Sequence, residues 1–323
     1  MRAIAQEEFG SPDILELKEV DKPSVGDDEV LIRVKAASAN PWDWHFMRGM
    51  PYISRPQAGW RRPKNMVLGS DVAGEVETVG EHVARFRPGD EVFGFVGHGA
   101  FAEYVSVPED VLVQKPAGVS FEQAATVPLA AMTALQGLRD SGGLKEGERV
   151  LIIGASGGVG TFAVQIAKAM GAHVTGVCSG RNLDLVKSIG ADEVIDYTKE
   201  DFTNGSERFD LIFQLAGTAS PSACRRALTS NGRLVLSSGD SKGRIIGPVG
   251  RVLRATLLSP FVSQSLRTLS VKRSSEDLRY LGELIEAGKM SPVIDKTYSL
   301  SETPDAIRYL ETGHARGKLV IAI

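Results

Sequence analysis

The segment Ile152-Ile-Gly-Ala-Ser-Gly-Gly-Val-Gly160 is the part of this sequence best suited to chemistry. An apolar run precedes it and a helical pattern follows it. Set against the pattern G-x-G-x-x-G, its last two glycines are Gly157 and Gly160, and Ala155 stands where the first would be. Such a turn leaves backbone N–H groups free at a helix N-terminus, where they and the helix dipole hold a pyrophosphate. Gly157 would let the backbone approach that group, and Gly160 would let the helix lie against the sheet. Ser156, Gly157, Gly158, Val159 and Gly160 are therefore candidate dinucleotide-binding residues. A glycine turn alone also makes an ordinary strand–helix corner; the complete strand–turn–helix–strand context favours binding.

The type of dinucleotide follows from the next strand. An NAD site carries Asp or Glu about twenty residues beyond the turn to hold the ribose 2′-hydroxyl. Here the strand ends in Val177-Cys-Ser-Gly-Arg-Asn182, without a carboxylate. Ser179 can donate a hydrogen bond, and Arg181 can fork onto the oxygens of a 2′-phosphate. The expected cofactor is NADPH. The plainer readings are Arg181 as a solvated loop residue and Cys178 as a small packed thiol.

The elements around these residues change in kind along the chain. The first hundred or so residues read as short strands cut by turns: Glu29–Lys35, Val72–Val79, Glu91–Val96 and Glu103–Val107. That spacing predicts a barrel or sandwich. Pro41 to Asn65 shows no period and is long for a plain connection. Glu122 to Leu138 reads as a helix. Strands then alternate with helices: Arg149–Ile153, His173–Val177, Glu193–Ile195, Phe209–Phe213, Arg233–Leu236 and Thr268–Val271. Val159, Ala163, Ile166, Ala167 and Met170 fall on one face of the first crossover helix. The pattern predicts an α/β chain with a doubly wound parallel sheet, closed by a helix from Ser275 to Gly288, and a tail that returns to strand at Gly317–Ile323. Ala216 and Gly217, after the fourth strand, and Ser238, after the fifth, sit at the carboxyl ends of strands, where ligands of such sheets bind.

Composition narrows the classes. A chain of 323 residues predicts about two domains. Net charge is −3 with no basic stripe, so nucleic acid is not an expected partner. No run of eighteen apolar residues exists to span a bilayer, and no membrane partner is expected. Two cysteines, Cys178 and Cys224, make neither a disulfide framework nor a four-thiolate zinc site. The five histidines are scattered, and no metal is expected. With an acidic, non-apolar start, the expected setting is the cytoplasm.

Several further segments carry a likeness: Asn40-Pro-Trp-Asp43, Leu68-Gly-Ser-Asp-Val-Ala-Gly74, Arg87-Pro-Gly-Asp-Glu-Val-Phe-Gly94, Gly99-Ala-Phe-Ala-Glu-Tyr104, Ala155-Ser-Gly-Gly-Val-Gly160 and Ala315-Arg-Gly-Lys318. Through them the whole chain resembles the zinc-free quinone oxidoreductase (zeta-crystallin-like) branch of the medium-chain dehydrogenase/reductase superfamily. The resemblance implies a GroES-like β-barrel catalytic domain, residues 1–123 and 289–323, around a Rossmann NADPH-binding domain, residues 124–288. Where zinc-dependent members carry Cys, His and Cys, this chain holds Asn40, Ser70 and Leu129, none of them a good zinc ligand.

What the resemblance implies for function is hydride transfer from NADPH to a quinone or an α,β-unsaturated carbonyl. Such an acceptor spreads negative charge onto its own oxygen and needs only hydrogen-bond donors. Tyr52 is the candidate donor, and Asn40 would hydrogen-bond the ribose or substrate. Thr133 and Tyr197 join the cofactor contacts, and Lys318 is either another or an exposed lysine. Asp43 reads as a buried loop-capping carboxylate. Trp42, Trp44 and Trp60 either line a slot for a flat ring or pack the loop. The alternatives are a 2-enoyl thioester reductase, with the basic Arg55–Lys64 stretch on a phosphate carrier, and a non-catalytic NADPH-binding sensor or adaptor. A homodimer is expected.

Overall fold

The structure, a computed structural model, describes residues 1–52, 55–217, 219–237 and 263–323. Two compact units divide the chain. The first comprises Met1–Met132, Arg273–Gly288 and Pro292–Ile323, the second Thr133–Lys272 and Lys289–Ser291. Strands β1 (Arg2–Ala5), β2 (Glu16–Glu19), β3 (Glu29–Ala39), β4 (Asp71–Val79), β5 (Glu91–Phe95), β6 (Tyr104–Pro108) and β7 (Leu112–Gln114) come first. The second unit holds β8 (Arg149–Ile153), β9 (His173–Cys178), β10 (Glu193–Asp196), β11 (Phe209–Gln214), β12 (Leu228–Leu236) and β13 (Ser265–Thr268). The chain then returns to the first unit with β14 (Ile294–Ser299) and β15 (Lys318–Ala322).

In the first unit the main sheet runs β14-β15-β3-β4-β5-β7, with β6 also on β3. One edge of β3 is shared: Glu29–Arg33 pair with β6, and Ala36–Ala39 pair with β15. Register shifts at Leu31/Ile32 and Val34/Ala36 bend the strand between its partners, the usual effect of a bulge. Val30, Ile32 and Val34 alternate into a core with Ile4, Val76, Val92, Phe101, Leu112 and Ile321. Beyond Lys35 the alternation stops, because Ala36–Ala39 are small and all buried. That is why the strand outruns the expected Glu29–Lys35.

In the second unit all strand pairs are parallel and the order is β10-β9-β8-β11-β12-β13. This is the order of the dinucleotide-binding fold, reversing direction between β8 and β11. β8 is apolar and buried from Val150 to Ile153, as a strand covered on both faces must be. The Gly158–Ala169 helix is wrapped more fully than one apolar face predicts: Phe162 and Val164 are buried as well, while Val159 and Met170 are only partly so. Gln165 exchanges hydrogen bonds with the Ser291 backbone, so residues 289–291 cover a further side.

Three expectations on the elements are corrected. Glu122–Leu138 is not one helix but two, Phe121–Ala125 and Pro128–Gln136, since Pro128 has no N–H to continue the first. The last strand of the sheet is Ser265–Thr268, three residues earlier than the spacing predicts. The Ser275–Glu286 helix belongs to the first unit, not to a domain running 124–288. Its Glu286 accepts from Ala117 N at 3.2 Å, and Gly282 faces Pro116.

The helix–sheet approach gives one prediction. A Cβ on Gly160 would lie 2.1 Å from the Gly154 carbonyl oxygen, a backbone atom that cannot step aside. Gly160→Ala should therefore cost roughly 2 kcal/mol or more in urea unfolding, while Gly157→Ala should be near neutral.

Candidate functional site

The turn after β8 is built by a glycine that the sequence pattern did not select. Gly154 takes φ +89° and its N–H donates to Val177 O, as does that of Ala155. The tight turn is thus made one residue before Ala155, whose buried methyl packs beside Gly176 instead. Gly157 is the residue before the helix, and a Cβ there would meet nothing nearer than 3.5 Å. Packing does not require a glycine at 157. An incoming phosphate would, because its oxygens approach the N–H groups at the start of the Gly158–Ala169 helix. The residues present therefore fit a dinucleotide.

Asn182 joins this turn to the end of β9 by donating to Ser156 Oγ at 2.9 Å and to Ser179 Oγ at 3.2 Å. Among the described residues its buried amide oxygen has no partner, an acceptor left over where a ribose hydroxyl could donate. Nothing in the motif singled out Asn182; its adjacency to Arg181 was the one signal. Arg181 is exposed on the short Gly180–Asn182 turn, and Tyr197, 60% exposed, follows β10. Asp196 is a carboxylate that reading along β9 did not count. It pairs with Cys178 across the sheet, lies under Gly180, and is held below the usual carboxylate range by hydrogen bonds from Thr198. After β11, Leu215 N and Ala216 N both donate to Ile153 O, and Gly217 has φ +84°. Ala216 and Gly217 therefore stand at the end of β8, where the strand order reverses. Thr133 is buried on the Pro128–Gln136 helix. Ser238 lies outside the described residues.

In the first unit, Asn40 ends β3, precedes the Pro41–Arg48 helix and is 2% exposed. Its N–H donates to Asp43 Oδ2 at 2.8 Å, so Asp43 caps the loop in the buried role expected for it. The Asn40 amide donates to Asp71 Oδ2 at 2.9 Å, Ser70 Oγ at 3.1 Å and Ser38 O at 3.2 Å. Its carbonyl accepts from Lys318 Nζ, which is also 3.5 Å from Ala39 O and 3.8 Å from Asp71 Oδ2. Asp71 takes two further donors, Ser38 Oγ and Leu129 N. One expectation falls here. Asn40 spends both ends of its amide on protein groups. Lys318, 3% exposed, is not a surface lysine.

The other candidates of this unit are dispersed. Tyr52 is 47% exposed with the Arg55 guanidinium 4.9 Å from its ring centre, outside the Asn40 network. The three tryptophans do not form one slot. Trp42 donates to Gly97 O and packs on Phe46 and Phe95, Trp44 stacks on His45, and Trp60 is 72% exposed. His98 meets Phe46 edge-on and is kept neutral, pushed down to about 4 by burial with Arg273 nearby. Arg48 forks onto Glu311 and ties the Pro41–Arg48 helix to the Thr303–Glu311 helix.

Burial governs the charges of the cluster. It pushes Asp43 up to about 7 and also raises Asp71, which Lys318 opposes; it pulls the Lys318 ammonium down against both carboxylates. Between the ordinary Asp value of 3.8 and about 7, folded Asp43 keeps a proton that the unfolded chain has shed, so stability falls as pH rises through that window. The full effect amounts to about 4 kcal/mol. Asp43→Asn should flatten the decline of unfolding free energy between pH 5 and 8, measured in urea, and match or exceed the parent stability above pH 7.

Against known proteins, residues 26–117 match the alcohol dehydrogenase GroES-like domain and residues 189–321 the zinc-binding dehydrogenase model. A chloroplastic quinone oxidoreductase of Triphysaria versicolor is 36% identical over 99% of this chain and 98% of its own. A 2-methylene-furan-3-one reductase of Solanum lycopersicum is 35% identical over 99% of this chain and 79% of its own. The quinone oxidoreductase structure from Coxiella burnetii superposes with a TM-score of 0.87 at 33% identity, covering 100% of this chain and 99% of that one. The Escherichia coli quinone oxidoreductase complexed with NADPH gives 0.85 at 25% identity, covering 100% of both. The expected cytoplasmic setting is overturned, since similar proteins named with a compartment are chloroplastic or mitochondrial. A low cysteine count does not tell one reducing compartment from another. Zinc does not fit the residues at the positions implied for it. Asn40 and Leu129 bring an amide and a backbone N–H onto Asp71, the Ser70 hydroxyl accepts from that amide and donates to Asp43, and an ammonium is already among them. With relatives this similar over nearly its whole length, the chain is an oxidoreductase and belongs to the zinc-free quinone oxidoreductase branch of the medium-chain dehydrogenase/reductase superfamily.

Proposed function

We propose that this oxidoreductase uses NADPH to reduce quinones or α,β-unsaturated carbonyls. The observation that carries the reading is the space at Gly157, where the protein's own packing has no use for a glycine and a phosphate does. When bound, NADPH supplies a hydride from C4 of its nicotinamide. The chain's own part is to hold and orient. The N–H groups at the start of the Gly158–Ala169 helix bind the pyrophosphate. Asn182 fixes the hydroxyls of Ser156 and Ser179 at the ribose end and offers its spare amide oxygen to a ribose hydroxyl. Arg181 presents its guanidinium to the 2′-phosphate, and Lys199 offsets the ionised Asp196 beneath that turn. Ala216 and Gly217 give a wall of little bulk after β11, and Tyr197 and Thr133 complete the cofactor side.

The acceptor class follows from what positions 40, 70 and 129 lack. Their side chains supply no Lewis-acid site, so the acceptor must delocalise charge itself. A quinone or enone does so and asks for one hydrogen-bond donor at its oxygen, worth about 10²–10³ in rate. The Tyr52 phenol is assigned that proton. Names of similar proteins support the same class, one a quinone oxidoreductase and one a reductase of an exocyclic enone.

Arg181→Ala should raise KM for NADPH roughly ten- to a hundred-fold, the worth of one charge-assisted hydrogen bond, and leave NADH use unchanged. Equal effects on both cofactors would remove Arg181 from the 2′-phosphate. Tyr52→Phe should lower kcat by about 10²-fold with KM for NADPH unchanged; full turnover would assign the proton to another donor. NADPH oxidation should proceed with a naphthoquinone or a simple enone. Turnover confined to an enoyl-coenzyme A would instead favour the thioester reductase.

A further inference from the structure

The interior of the first unit contains a buried cation surrounded by acceptors of the protein's own. Lys318 opens β15, and its ammonium reaches into a pocket of acceptors contributed by separate parts of the chain. Asn40 Oδ1 and Ala39 O come from the end of β3, and Asp71 Oδ2 from the start of β4. Asp43, on the Pro41–Arg48 helix, contributes a carboxyl group whose second oxygen is buried with no partner among the described residues. Ser38, Asn40, Asp43, Ser70, Asp71 and Lys318 are each 3% exposed or less. Leu129 N, from the Pro128–Gln136 helix, closes the set on Asp71. A carboxylate sunk as deeply as Asp71 is tolerated only beside a positive charge.

We propose that the Lys318 ammonium is the resident cation of this site, standing where zinc-dependent members of the superfamily hold a metal, and that its charge orients the Asn40 amide and locks the β3–helix corner. Lys318 is thus a positioning residue. A metal would draw ligands about itself at fixed distances; the ammonium achieves a similar convergence through three N–H donors and a tether to β15. The assignment concerns the first unit alone and stands apart from which acceptor the enzyme reduces.

The test separates charge from bulk. Lys318→Met keeps the length of the side chain and removes the charge, so its melting temperature should fall by roughly 10 °C. Adding Asp71→Asn removes the carboxylate left unpaired, and the double variant should recover at least half of that loss. A structural role of the lysine stem alone predicts the opposite, additive losses. In Lys318→Ala, methylammonium should raise the melting temperature in a saturable way, and tetramethylammonium at equal ionic strength should not. If Lys318→Met does not fold, a folded double variant supports the proposal and an unfolded one overturns it. It is also overturned if Lys318→Met melts with the parent, if the two losses add, if both ammonium salts act alike, or if zinc raises the melting temperature of the parent chain.

Discussion

An ammonium taken out of water beside two carboxylates is the interaction on which the first unit depends. Desolvating the Lys318 or the Asp71 charge alone costs several kcal/mol, so each is tolerable only through the other, while burial keeps Asp43 protonated up to about pH 7. The arrangement is therefore exacting about geometry. Asn40 must turn its carbonyl to Lys318 and its NH2 to Asp71, and that choice sets where β3 stops and the Pro41–Arg48 helix starts. Apolar side chains could fill the same volume, but they would not dictate one direction for the chain as it leaves the sheet. The Arg48–Glu311 fork then fixes the far end of that helix.

The second unit obeys a different constraint, the distance of closest approach between backbones. Gly154, Gly160 and Gly176 are needed because Ala216, the Gly154 carbonyl and Val186 respectively press on them, whereas no described residue presses on Gly157. The contrast separates a glycine required for folding from one left for a ligand. At the ribose end the field is a balance: Asp196 stays ionised below Gly180 and the Arg181 cation rides on the turn above it. Preference for a 2′-phosphate rests on which of the two lies nearer to that group, since Coulomb energy falls with distance and rises as water is excluded.

How far the sequence disclosed all this depends on the range of the interactions. The apolar runs of β8, β9 and β11 and the glycine turn are local patterns, and the parallel sheet was legible from them. The end of β3 was not, because four buried small residues carry no alternation. Asn182 was invisible because a buried amide bridging two serines leaves no spacing rule behind it. The burial of Lys318 was illegible for a related reason: its partner Asn40 is 278 residues away, and lysine is ordinarily a surface residue. Asp196 escaped notice because it neighbours the end of β9 across the sheet and not along the chain.

The place of β15 has a consequence for how a new chain assembles. It lies between β14 and β3, paired on both sides, although it follows the other named strands in sequence. The six strands of the parallel sheet are contiguous in sequence and can close early during synthesis. The earlier strands must wait, with the Ala36–Ala39 stretch of β3 open to pairing with other chains, until β15 arrives. Demand for a chaperone should therefore fall on the half made first, and the half made in the middle should be the earliest to resist proteolysis.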